Sequence, residues 1–352
     1  MPAPLNLRDF EDLARERVPA GAFTYYAGGA GDEHTLRENI DAYARRRLRP
    51  RTLVDVSEIG PSVELLGTRF ALPFGIAPTA QHGLAHADAE AATARAAAAA
   101  GVLYCASTSS SLPLEEIAAA SGEGARWFQL YTQDSAGPLT EALVRRAEDA
   151  GYEAIVLTVD LAASGRRERE LYAGFDLEVL RFGNFEQDEA GQARFKNQFR
   201  QIVTPNTFNW GDIAWLRGLT PLPLVLKGIL TAEDARLAVE HGVAAVWVSN
   251  HGGRQLDRVP ASIDVLDEIV AAVAGRAEVY ADGGVRRGID VVTALALGAR
   301  AVFVGRPILY ALAADGEKGV ARALALLEAE LRNAMALLGA PTIADITRAH
   351  VV

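Results

Sequence analysis

Residues 278–307 read EVYADGGVRRGIDVVTALALGARAVFVGRP, and this stretch decides the fold. The run at 278–281 is apolar without alternation, so a strand there is buried on both faces. A Gly-Gly turn follows, then an amphipathic helical segment at 288–297, then a second apolar run at 301–304 closed by Gly305, Arg306 and Pro307. Strand, helix and strand in so short a span make a βαβ unit with parallel strands.

The same unit repeats outward from it. Further apolar runs lie at 72–77, 102–106, 126–130, 154–159, 222–226 and 244–248, with helix-like segments at 88–100, 138–150, 232–241 and 262–274. Eight such strands predict an α/β fold of the TIM (β/α)8 barrel type rather than an open sheet. The chain is expected to be a single domain over 1–352, with an N-terminal helical extension at 1–70 and the barrel at 71–340. The region after the fourth run, about 161–218, is too long for an ordinary connection. It predicts a long loop insertion after strand 4, with the polar 181–208 stretch lying over the barrel mouth as a lid.

Composition narrows the class. The 352 residues carry a formal charge of −10, which argues against nucleic acid as the partner. One cysteine, Cys105, excludes an internal disulfide, and the histidines lack metal-ligand spacing, so no metal site is expected. No apolar run is long enough to span a membrane, the first residues lack a secretory signal, and the last three are not a peroxisomal SKL. Cytoplasmic residence is expected.

Chemistry in such a barrel gathers at the C-terminal ends of the strands. The turns after the last two runs offer free backbone N–H groups at Asp282, Gly283, Gly284 and Gly305, and Arg286 and Arg306 add charge, which together predict a phosphate site. His251 and Arg254 share the loop after the sixth run, where an imidazole can take a proton and a guanidinium can fork onto a carboxylate. Asp160, after the fourth run, is placed to orient that imidazole. Lys227 leaves two readings open: a Schiff-base amine as in an aldolase, or a fixed cation beside an electron-accepting ring. A barrel that binds a phosphate ligand without catalysis is a third reading.

These residues sit in longer strings: YYAGGA at 25–30, APTA at 77–80, QLY at 129–131, TVD at 158–160, GRRE at 165–168, LKG at 226–228, SNHGGRQLD at 249–257, DGGVRRG at 282–288 and VGRP at 304–307. In this order they resemble the FMN-dependent α-hydroxy acid oxidase and dehydrogenase family, over nearly the whole chain. The resemblance implies oxidation of an L-2-hydroxy acid to the 2-oxo acid, with FMN reoxidised by dioxygen or another acceptor. It implies His251 as the base supported by Asp160, and a substrate site of Tyr25, Tyr131, Arg167 and Arg254. FMN would contact Pro78, Thr79, Ala80, Ser107, Gln129, Thr158, Lys227 and Ser249, with Asp282, Gly283, Gly284, Arg286, Gly305 and Arg306 around its ribityl phosphate. A homotetramer is implied as well. Two departures stand out: Ser109 replaces the bulky aromatic of glycolate oxidase, and Leu161-Ala162-Ala163-Ser164 replaces a Pro-containing run. Both point to an unusual or bulky substrate.

Overall fold

The computed structural model describes residues 3–132, 137–185 and 207–352. Three helices open the chain, α1 (Asp9–Arg17), α2 (Ala20–Ala27) and α3 (His34–Ala44), followed by an antiparallel hairpin of β1 (Val63–Leu65) and β2 (Thr68–Phe70). Eight parallel strands then close into a barrel: β3 (Phe74–Ile76), β4 (Tyr104–Ser107), β5 (Arg126–Leu130), β6 (Ile155–Thr158), β7 (Leu224–Ile229), β8 (Ala245–Val248), β9 (Glu278–Asp282) and β10 (Ala301–Val304), with β10 paired back to β3. The expected apolar runs coincide with these strands, with ends moved by up to three residues. The largest move extends β7 through Lys227 to Ile229, so Lys227 is part of the strand and not of the loop after it.

Alternation along the strands divides the core in two. Phe128, Leu130 and Leu157 point outward to the ring of helices. Cys105, Trp127, Val156, Trp247, Tyr280 and Phe303 point inward and fill the barrel axis. The aromatic members meet there, with Trp247 and Phe303 ring centroids 3.9 Å apart. The axis is therefore a packed core and not a channel.

The hairpin was not legible in the sequence. Its two-residue loop is Leu66-Gly67, at φ 48° and 86°, the left-handed pair that suits the twist of paired strands. Leucine in place of the usual Asn or Gly hid the turn. Val63, Leu65 and Phe70 join the inward-facing cluster. Leu66 N donates to the Glu278 carboxylate, Thr68 Oγ1 to Glu153, and Arg300 Nε to Glu64 O. Those partners stand at the N-terminal ends of β9, β6 and β10, so the hairpin plugs that end of the barrel and leaves the opposite mouth for a ligand.

The segment after β6 is shorter than expected. Ile213–Leu219 is an ordinary outer helix leading into β7, with Ile213 and Leu216 buried. The added segment therefore ends near 212 and not 218. Its described part holds a short helix, Glu168–Tyr172, and a 3-10 turn at Leu177–Val179. Most of the polar stretch expected as a lid, 186–206, lies outside the described residues. Among the described residues, no helix is long and apolar enough to cross a membrane.

Phe70→Ala removes a plug side chain from the sealed end. It should cost about 3–5 kcal/mol of stability in denaturant unfolding while leaving ligand affinity at the other mouth unchanged; a loss of ligand binding without a loss of stability would contradict this placement.

Candidate active site

A cavity of about 230 Å³ occupies the C-terminal end of the barrel. Its wall includes Tyr25, Pro78, Thr79, Ala80, Ser107, Tyr131, Arg167, Lys227, His251, Arg254, Asp282, Gly283, Gly284, Arg286, Gly305 and Arg306. Four expected site residues stand one layer behind it: Gln129, Thr158, Asp160 and Ser249. Gln129 is 1% exposed because its amide joins neighbouring strands, accepting from Ser107 Oγ at 3.1 Å and donating to Thr158 Oγ1 at 3.1 Å. Ser249 accepts from Lys227 Nζ at 2.9 Å and donates to Asp282 Oδ1 at 2.7 Å. Gln129, Thr158 and Ser249 thus support wall residues and do not themselves line the wall.

His251 and Asp160 come from loops after β8 and β6. Nδ1 of His251 lies 2.7 Å from Asp160 Oδ1. Burial pushes the Asp160 carboxyl up, but the His251 and Lys227 charges and the imidazole hydrogen bond outweigh it and hold the group below the usual carboxylate range. An ionised carboxylate only accepts, so Nδ1 donates to it and Nε2 is the ring nitrogen left on the far side of the ring. Nε2 is 3.3 Å from the Tyr131 hydroxyl. Burial raises the Tyr131 pKa, as does the Asp160 charge, so the phenol stays protonated. His251 is held at φ 58°, and Gly252 and Gly253 follow at 64° and 73°. A left-handed histidine is strained backbone kept in place by its surroundings.

Arg167 and Arg254 converge because their loops touch: a Cβ on Gly165 would lie 2.0 Å from Arg254 O. Arg254 donates to Tyr25 O at 2.8 Å, Gly28 O at 2.9 Å and Glu170 Oε1 at 3.0 Å. Its guanidinium has further N–H donors beyond these. Glu170 escaped the sequence reading. Its carboxylate also lies 3.7 Å from Arg167 and is the shared counterion of the pair; its position three residues after Arg167 on a helical turn was the available signal. Tyr25 stacks between the Arg254 guanidinium at 5.2 Å and Phe175 at 5.2 Å.

The other half of the cavity suits an anion. Gly283 and Gly284 take φ 92° and 87°, and a Cβ on Gly284 would lie 1.7 Å from Asn39 O. Only glycine lets α3 close over this turn. Arg306 donates to the carbonyls of Tyr26, Gly252 and Gly28 at 2.8–2.9 Å. Burial lowers its pKa to about 10, so it stays charged at neutral pH. Burial likewise lowers Arg286. Among the described residues, neither guanidinium has a carboxylate within ion-pair distance, which leaves two half-buried cations facing the cavity. Burial alone would lower the Lys227 pKa, but the Asp282 and Asp160 carboxylates outweigh it and raise it. A protonated ammonium 3.3 Å from Asp282 is a fixed cation and a poor Schiff-base amine.

Other contributors also went unread. Tyr26, Phe182 and Phe185 line the cavity. Asn39 and Asn250 exchange amide hydrogen bonds at 2.8 and 2.7 Å, locking α3 onto the His251 loop. His82 is buried and bridges Thr79 Oγ1 and Thr93 Oγ1 at 2.8 and 2.9 Å, so it braces the Thr79 turn from behind.

The FMN-dependent dehydrogenase family matches the chain over residues 14–352. The chain is 47% identical over 353 residues to glycolate oxidase 1 of Oryza sativa subsp. indica, covering 98% of this chain and 95% of that protein. It is 48% identical to a peroxisomal (S)-2-hydroxy-acid oxidase of Oryza sativa subsp. japonica, covering 99% and 96%. A solved structure of mandelate oxidase with benzoyl-formic acid superposes with a TM-score of 0.90 at 44% identity, covering 99% of this chain and 98% of that one.

Asp160 has a depressed pKa, so its contribution to stability is fully present above its unfolded value of about 3.9 and is lost as pH falls through the native value. Asp160→Asn should lower the thermal midpoint at pH 7, and the gap to wild type should close below about pH 4. A gap independent of pH would show that the carboxylate charge does not hold His251.

Proposed function

The chain belongs to the FMN-dependent dehydrogenase family, and it is an oxidoreductase of 2-hydroxy acids that uses FMN; from that premise we propose the roles of its residues. The observation that carries the reading is the meeting, at one cavity, of His251 backed by Asp160, the Arg167–Arg254 pair and two half-buried arginines that have no carboxylate partner among the described residues.

The residues fit FMN. Arg286 and Arg306, with the turn at Gly283 and Gly284 and with Gly305, would hold the phosphate. Asp282 would take the ribityl hydroxyls. Pro78, Thr79 and Ala80 would lie under the ring, where a Cβ on Gly305 would already meet Thr79 Cγ2 at 3.2 Å. Ser107 would meet its edge, backed by Gln129 and Thr158, and Lys227, backed by Ser249, would stand where negative charge collects. Bound there, FMN would supply the acceptor for the two electrons that leave the substrate α-carbon.

The chain supplies the rest. Arg167 and Arg254 hold the substrate carboxylate through charge-assisted bonds, and the Tyr25 and Tyr131 hydroxyls contact its oxygens. Nε2 of His251 takes the proton, and the ionised Asp160 stabilises the imidazolium that forms. Dioxygen as the electron acceptor, with hydrogen peroxide formed, is supported by relatives named as oxidases. Ser109, Phe182 and Phe185 leave a roomy, largely apolar wall, which supports a bulky side chain on the substrate. Cytoplasmic residence and a homotetramer belong to the same proposal, although one relative carries a peroxisomal name.

The test is colour. The purified protein should be yellow and should bleach anaerobically when its 2-hydroxy acid is added. His251→Ala should keep the yellow colour and slow bleaching by about 10²–10⁴-fold or more; bleaching at the wild-type rate would remove His251 as the base. Ser109→Trp should slow bulky 2-hydroxy acids more than small ones, and a constant rate ratio would refute this view of the wall.

A further inference from the structure

Gln81 comes directly after the Pro78–Ala80 turn, with its backbone left-handed at φ 61°. A long side chain adopts that conformation only where its surroundings hold it. Here the surroundings are specific. Nε2 donates to Ser109 O at 2.9 Å and to Arg181 O at 2.7 Å, and Oε1 accepts from Arg181 N at 3.1 Å. The Gln81 carbonyl accepts from the Tyr26 hydroxyl at 2.5 Å. The residue is 1% exposed. One amide thus pairs with the backbone of Arg181 in both directions, as a neighbouring strand would, and ties it to the loop that carries Ser109.

The chain beyond Arg181 is the apolar wall. Phe182 and Phe185 line the cavity. Between them, Asn184 is a second anchor, donating to Thr108 O at 2.9 Å and accepting from Leu114 N at 2.8 Å. Phe182 is therefore set between two amide clamps. The downstream clamp grips β4, the loop after it and the start of the following helix at Leu114, whereas Gln81 spans from that loop to the turn assigned to the flavin ring. We propose that Gln81 is a positioning residue for specificity: it fixes the gap between Phe182 and Ser109, and so sets the size of 2-hydroxy acid side chain that the site accepts. This rests on the 2-hydroxy acid reading of the cavity.

The test compares wild-type holoenzyme with Gln81→Met, which keeps an unbranched side chain but loses all three side-chain hydrogen bonds, and with Gln81→Glu, which sets a carboxylate against two carbonyl oxygens. Both variants should retain FMN, and flavin reduction by a saturating short-chain 2-hydroxy acid should stay within about threefold of wild type, since no catalytic contact changes. The KM ratio of an aryl to a short-chain 2-hydroxy acid should shift about tenfold, the effect of one lost or gained wall contact. An unchanged ratio, or an equal fall in kcat for every substrate, would overturn the proposal. Hydrogen exchange on the wild-type protein gives a second measurement should the variants not fold: the Arg181 amide should be protected, and exchange at the rate of an open chain would overturn the clamp. If the wild type bleaches with no 2-hydroxy acid, the reading of the cavity falls; if it bleaches and the ratio stays fixed, only the role of Gln81 falls.

Discussion

The 2.7 Å contact between His251 and Asp160 is the constraint around which the open mouth of the barrel is built. The two residues leave strands β8 and β6, which are separated by β7. They can meet because β7 shifts register at Lys227 and passes beneath Asp160 at Gly228, where φ is 108° and a Cβ would lie 2.7 Å from the Asp160 Cβ. A side chain at that position would push the carboxylate away from the imidazole. The strained backbone at His251 completes the approach from the other side. Catalytic geometry and local strain have the same origin here, because the surrounding barrel over-determines both.

Charge in the mouth is arranged in opposed pairs. Arg167 and Arg254 share Glu170, Lys227 leans on Asp282, and His251 leans on Asp160. Among the described residues Arg286 and Arg306 are the exceptions: Arg286 stands at the glycine turn after β9, and Arg306 bonds the Gly252 and Gly28 carbonyls beside the His251 loop. The paired cations can be held rigid without a ligand, since their repulsion is already offset. The other two favour an anion, because their half-buried charge is met by carbonyl oxygens and, among the described residues, by no carboxylate at ion-pair distance. This asymmetry separates a half suited to a tightly held phosphate from a half suited to a carboxylate that must come and go.

Much of this was legible because buried parallel strands write themselves as unbroken apolar runs, and the glycines that follow them mark the turns where ligands sit. His251, Arg254, Asp160 and the two phosphate turns were read from that pattern, Tyr25, Tyr131, Arg167 and the ring contacts came only with the family resemblance, and Tyr26, Phe182 and Phe185 were missed. What escaped depends on contacts between distant segments. The i,i+3 spacing to Arg167 hinted at Glu170, but nothing nearby points to Arg254, 84 residues on, and nothing around Gln81 points to the Arg181 backbone, 100 residues away. The hairpin escaped for a local reason, the unusual leucine in its turn. The placement of Gln129, Thr158 and Ser249 behind the wall reflects hydrogen bonds between adjacent strands, which a list of strand ends does not reveal.

Cys105 sits on the barrel axis among the inward-facing side chains, and burial pushes its thiol well above the ordinary range. It therefore remains a neutral thiol, whereas oxidants attack the thiolate. With dioxygen as the proposed acceptor, every turnover would make hydrogen peroxide close to this residue's barrel. In this fold the one sulfhydryl that such a product could destroy is kept dry and unreactive by the same aromatic packing that fills the barrel, so chemical durability comes from the core and needs no separate shield.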